Sequence, residues 1–244
     1  MGTSASYSAP PSWGPLKAEV TRLAGGGALI PSQSAGLLSQ LVGGNGGAAG
    51  MSRGAGGGGA GRVAHGGSAR AVAGRLGKFI ADVRSIGLNE ALQRTGLDDL
   101  VGRPVGEILN GLIDRLGGPA STLDDVDARA ALARVGEELL DAAASAAEVE
   151  QLLTDQTLSV EQVLEMFFGY YLYEVFCRVF FERLVQRVGE TRAQSFLGQI
   201  LDYVKSALRN RVHGRTLTAM SGTDAARDLL VTDIMESTLR VFGG

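Results

Sequence analysis

The chain has 244 residues, 36 of them glycine, a net charge of −3 and a single cysteine. One cysteine excludes an intramolecular disulfide framework, and one cysteine with two histidines cannot make the usual zinc sets. A charge this small excludes strong electrostatic steering toward nucleic acid.

Residues 1–16 are small, polar and proline-bearing, and Pro10, Pro11 and Pro15 bias them toward extended backbone. Trp13 is the one tryptophan. Two readings suit it: an aromatic anchor that docks the segment on a partner, or a ring packed back on the chain's own body. Residues 16–27, LKAEVTRLAGGG, read as a short helix with Leu16, Val20 and Leu23 on one face, and PSQSAGLLSQLVGG adds a weak helical turn or two. Residues 43–67 contain thirteen glycines and read as a flexible linker, with a random-coil span of about 25–30 Å. The expected organisation is an N-terminal tail with a docking segment over 1–42, a linker over 43–67 and a helical body over 68–244.

The body opens with Ser68 as a candidate N-cap. Val72, Leu76, Phe79, Ile80 and Val83 then line one helical face up to Gly87. LNEALQRTGLDDLVG reads as a short helix and a turn. Pro104 stands at the start of a helix whose stripe is Ile108, Leu109, Leu112, Ile113 and Leu116. Ser121 or Thr122 caps the next, with Leu132, Val135, Leu139 and Leu140 as its core face. AEVEQLL is a brief helix. Ser159 and Gln162 form a capping box for the segment 159–189, which holds Phe167, Phe168, Tyr170, Tyr171, Tyr173, Phe176, Phe180 and Phe181, eight of the chain's fourteen aromatics. Apolar on all sides, it reads as a buried central helix with Phe167, Phe168, Tyr171, Phe176 and Phe180 as core; Glu174 and Arg178, four apart, can pair within it. Helices over about 192–213 and 224–241 finish the chain, the last with Leu229, Leu230, Ile234 and Leu239 as its stripe. The fold class is all-α, a multi-helix array around a buried aromatic helix with a flexible Gly-rich N-terminal region.

No catalytic constellation emerges. GAGGGGAG lacks the phosphate-loop pattern. The carboxylate pairs Asp98–Asp99, Asp124–Asp125 and Glu137–Glu138 read as capping and surface charge, and no Glu-x-x-His set offers a metal site. Cys177 reads as a buried structural thiol, with neither histidine coupled to it. Neither a cofactor nor a metal is expected. Arg209, Arg211 and Arg215 form the densest basic patch, either a solvated helix end or a contact for an anionic partner; with no aromatic interleaved, single-strand stacking has little support. Apolar runs are broken well short of 18 residues, so no membrane association is expected, and without a signal-peptide pattern the expected location is the cytoplasm. Gly2 is small enough for removal of Met1, which leaves an α-amine with a pKa of about 7.7–8.0, more nucleophilic near neutral pH than any lysine.

MGTSAS, the Pro- and Trp-bearing segment after it, the Gly-rich tract and GGSARAVAGRLGKFIADVRSIGLNEALQRTGLDDLVGRP together resemble the B component of Qat-type anti-phage defence operons. The match is best over residues 1–16 and 66–116, with EVEQLL and the aromatic helix agreeing more loosely. The resemblance implies operon partners: an ATPase, a QueC-like enzyme of 7-deazaguanine chemistry and a TatD-like nuclease. It also implies a component without a catalytic domain. In a related system a QueC-like enzyme joins a deazaguanine-type nucleobase to a protein's N-terminal glycine. By similarity Gly2 is the acceptor, Thr3, Ser4 and Ser6 are read by the enzyme, and Pro10, Pro11 and Trp13 seat the segment. The expectation is a non-catalytic substrate or adaptor. The alternatives are a scaffold bridging ATPase and nuclease, and an enzyme using Glu165, Glu174 or Cys177.

Overall fold

The computed structural model describes residues 13–53, 63, 65–154, 158–209 and 218–243. Among them are eleven α-helices and no strand, so the fold is all-α. The helices are α1 (Trp13–Ala24), α2 (Pro31–Gly44), α3 (Gly47–Ser52), α4 (Gly67–Ile86), α5 (Leu88–Thr95), α6 (Val105–Gly117), α7 (Leu123–Ala142), α8 (Ala146–Thr154), α9 (Val160–Val188), α10 (Glu190–Arg209) and α11 (Asp224–Gly243).

The 29-residue α9 is the axis of the molecule, about 43 Å long at 1.5 Å per residue. Ser159 accepts the Gln162 N–H at 3.1 Å and the Gln162 side chain accepts the Ser159 N–H at 2.6 Å, which closes the expected capping box. Phe167, Phe168, Tyr171, Phe176 and Phe180 are fully buried. Packed around α9 are α1, α4, α7, α10 and α11. Close approach of α10 is possible because position 169 is glycine: a Cβ there would stand 2.5 Å from Leu208 Cδ1. The apolar stripe does not extend to every ring, since Phe181 is 40% exposed.

Caps account for the entry of α7 and, less locally, of α4. Thr122 accepts the Asp125 N–H at 3.1 Å while Asp125 accepts from the Thr122 N–H at 2.8 Å. The expected Ser68 cap on α4 is not made. The helix starts at Gly67, and its first N–H groups are satisfied by Asp124 of α7, which accepts from Gly66 N at 3.3 Å and Ser68 N at 2.9 Å. Ser68 instead donates its hydroxyl to Asp125 at 2.6 Å.

The largest departure from the sequence reading concerns the N-terminal region. Helices α1, α2 and α3 are built into the same core as the rest: Trp13, Leu16, Val20, Leu37, Leu38, Leu41, Val42 and Met51 are all buried. Helix α1 lies on α9, and α2 and α3 lie on α11. The proposed linker begins inside α2, contains α3, and ends at residues fixed to the body. Asn45 accepts the Val63 N–H at 2.9 Å, Arg178 donates to the Val63 carbonyl at 2.5 Å, and Tyr171 lies 3.2 Å from the Gly66 nitrogen. Glycine content raises the entropy of the unfolded chain, but these contacts hold both ends of the tract. Residues 54–62 and 64 lie outside the described residues.

Smaller corrections follow from packing. Glu174 and Arg178 do not pair with each other. Glu174 takes Arg134 of α7, and Arg178 takes Asp127 of α7 at 2.8 Å. Leu140 and Leu229, expected in core stripes, are 40% and 73% exposed.

Candidate functional site

The first turns of α1, α4 and α7 converge on the C-terminal half of α9 and enclose a cleft of about 800 Å³. Trp13 and Lys17 come from α1, Ser68 from α4, Leu123, Asp124 and Asp125 from α7, and Arg178, Val179 and Glu182 from α9; His65 adds to the wall. Helix N-termini attract anions through their free N–H groups. Here the attraction is already satisfied for two of the three, because Asp124 and Asp125 hold the N–H groups of both α4 and α7. What remains facing the cleft is carboxylate, two cationic side chains and an apolar wall.

The polar floor is tightly engaged. Tyr171 donates to Asp124 Oδ1 at 2.5 Å, and burial together with the Asp124 charge holds its phenol far above the usual value. The Ser68 hydroxyl holds the Asp125 carboxyl below its usual range, against the opposing effect of burial and with help from Thr122 and Ser121. Asp127 is 3% exposed. Burial pushes its carboxyl up to about 6, even though Arg178 pulls it down, and the Asp124 and Glu174 charges add to the rise. Arg178 therefore ties three elements together: Asp127 of α7, the Val63 carbonyl and its own helix.

Trp13 lies at the edge of this cleft. Its ring packs on Gly44, where a Cβ would stand 3.3 Å from Trp13 Cζ2, and only 2% of the residue is exposed. Of the two readings of Trp13, the ring packed on the chain's own body is the one observed. The indole N–H is buried and has no acceptor among the described residues. Gly2, Thr3, Ser4, Ser6, Pro10 and Pro11 lie outside the described residues.

The other candidates are dispersed. Arg209 ends α10 and, with Lys205, Tyr170, Glu138 and Glu165, lines a separate cleft of about 220 Å³; Arg211 and Arg215 lie outside the described residues. Lys205 pairs with Glu138. Burial raises the Glu138 carboxyl, but Lys205, Tyr170 and Arg209 together hold it below its usual range. Cys177 is partly buried, and burial pushes its thiol up to about 12. Among the described residues no group of three or more His, Cys, Asp or Glu is placed to hold a metal, and no helix is long and apolar enough to cross a membrane.

The network of Asp124, Asp127, Tyr171 and Arg178 was missed from sequence. Its signal is faint but present: Asp124 and Asp127 are three apart, hence on one helix face, and Arg178 is a cation inside the most apolar helix of the chain.

No curated protein and no solved structure is similar to the chain. The family model described as Qat anti-phage system associated protein QatB matches residues 57–242, from before α4 to the end of α11. The chain belongs to the QatB family and is a component of the Qat anti-phage defence system.

Proposed function

We propose that the protein serves this system as a non-catalytic substrate or adaptor, presenting its N-terminal segment to a QueC-like partner that joins a nucleobase to Gly2. In this proposal Met1 is removed, Gly2 supplies the attacking α-amine, and Thr3, Ser4 and Ser6 are read by the partner. The observation that carries it is the buried anchor at Trp13. It fixes the residue to which residues 1–12 are joined, and a stretch of twelve residues can span about 40 Å at most. Residues 2–6 have small side chains, and residues 1–12 carry no charged one, which suits a narrow active-site channel. Tethering it to a folded body raises its effective concentration at any partner that docks on the helices.

The enzyme alternative draws little support from the residues it needs. A thiol pushed up to about 12 is a poor nucleophile at neutral pH. Glu174 is engaged by Arg134, and Glu165 is buried and not without a partner.

Phage challenge of cells carrying the whole operon tests the proposal. Gly2→Glu keeps Met1 in place and is expected to abolish protection, whereas Cys177→Ala at matched protein level is expected to retain it. Full protection by Gly2→Glu overturns the acceptor reading and leaves a scaffold that bridges the ATPase and nuclease. Loss of protection with Cys177→Ala favours an enzyme.

A further inference from the structure

Helix α7 carries apolar residues on two opposite faces. The inner face, with Ala131, Leu132, Val135 and Leu139, is buried in the core. Roughly opposite it, at 100° per residue, run Leu123, Val126, Ala130, Ala133, Glu137 and Leu140, spaced alternately by three and four. That spacing is the one by which two helices pack side by side. Leu123, Val126 and Leu140 are 63%, 47% and 40% exposed, Ala130 and Ala133 are half-buried, and Glu137 is exposed. Of the seven large apolar side chains exposed among the described residues, three lie on this one stripe, which sets it apart from scattered surface leucines.

We propose that this face pairs with itself: two copies of the chain associate through α7, antiparallel about a two-fold axis between Ala130 and Ala133. The order of residues along the stripe favours a second copy as the occupant. With Ala130 set against Ala133 of the second copy, Val126 meets the stem of Glu137 and Leu123 meets Leu140, and the two-fold repeats each contact. Small side chains at the centre let the helices approach closely, and the exposed leucines cover each other at both ends. Charge favours the same arrangement. The Glu137 carboxylate is unpaired among the described residues, and in this register it lies beside Arg129 of the second copy. Arg129 holds Asp114 and the Gly118 carbonyl and has further N–H donors for a carboxylate. A parallel pair instead sets Glu137 against Glu137 of the second copy, like charge on like. The stripe spans about 26 Å. That makes a small interface, with a dissociation constant expected on the order of 10–100 μM. The pairing is independent of the acceptor role of Gly2, and either can fail alone.

Sedimentation equilibrium of the purified full chain from about 5 to 500 μM, a range that brackets this constant, tests the proposal. The mass is expected to rise from the 25.3 kDa of one chain toward twice that value. Leu123→Glu and Leu140→Lys each remove two leucine contacts per dimer, and each is expected to weaken association by at least about tenfold. Each charge also suits its end of the helix dipole. Both positions are exposed, so thermal unfolding by circular dichroism is expected to match that of the parent. Combined in one chain, the two substitutions face each other across the two-fold axis and are expected to restore association. Leu229→Glu, at a solvent-facing position on α11, is expected to leave association unchanged. A chain that stays monomeric over the whole range overturns the proposal and leaves the face to another protein. A dimer indifferent to both single substitutions overturns it as well. A dimer weakened by each single substitution and not restored by the pair overturns the antiparallel register.

Discussion

The carboxylate of Asp124, in the first turn of α7, accepts the Ser68 N–H of α4 at 2.9 Å, across 56 residues of chain. It also lies 3.3 Å from Gly66 N and takes the Tyr171 hydroxyl at 2.5 Å. One side chain thus caps a neighbouring helix, fixes the end of the glycine tract and satisfies a fully buried phenol of α9. Asp124→Ala orphans the Ser68 N–H and the Tyr171 hydroxyl, while the Gly66 N–H keeps Tyr171 Oη as acceptor at 3.2 Å. A lost cap costs about 1 kcal/mol and a buried unsatisfied donor about 1–3 kcal/mol, so urea denaturation is expected to show a loss of more than about 2 kcal/mol.

Trp13 makes a second point about the same region. If α1 belongs to the core, Trp13→Ala destabilises the whole fold, by about 3–5 kcal/mol for a buried tryptophan. Circular dichroism during thermal unfolding checks this. A variant that melts like the parent would return residues 13–24 to the status of a tail.

Among the described residues of the tract, Gly66 is the tightest backbone position. Its φ is +61°, and a Cβ would overlap the Met51 carbonyl and stand 2.7 Å from Met235 Cε. Gly47 has a φ of +74° with nothing near its missing Cβ. Gly47→Ala is therefore expected to carry only the left-handed backbone cost of about 1–2 kcal/mol. Gly66→Ala carries that cost plus a shift of α3 against α11, and is expected to be clearly the more damaging in chemical denaturation.

Asp127 gives the fold a pH dependence of defined sign. Its folded carboxyl lies at about 6, against an ordinary 3.8. The folded state therefore holds this proton more tightly than the unfolded chain. The resulting stability is fully present below about pH 4 and is lost as pH rises through about 6, for a total of about 3 kcal/mol. Asp127→Asn has no such proton. The stability advantage of the parent over Asp127→Asn is expected to shrink by about that amount between pH 4 and pH 7, measured by urea titration at each pH.

The central helix was legible because its signal is local and redundant: eight aromatics and a capping box mark one segment for the core, and all of the eight but Phe181 are buried. The core faces of α4 and α6 were legible from helical spacing. The N-terminal region was not, because composition reports the freedom of the unfolded chain and not the contacts that remove it. Nothing near Val63 or Gly66 announces that Asn45, Arg178 and Tyr171 will hold them. The Ser68 cap failed for the same reason, since its competitor is 56 residues away. Arg178 had a partner at helical spacing in Glu174, yet the buried Asp127 won it, and Glu174 went to Arg134. The acceptor role of Gly2 comes from family likeness and the chemistry of an α-amine, and the residues that would receive it lie outside the described part of the chain.

Intact-protein mass spectrometry with fragment mapping tests the central claim most directly. The protein is isolated from phage-protected cells carrying the full operon, and from cells lacking the QueC-like component. The account predicts a deazaguanine-sized adduct on Gly2 in the first and none in the second. A bare or merely Met-trimmed N-terminus from protected cells would contradict it.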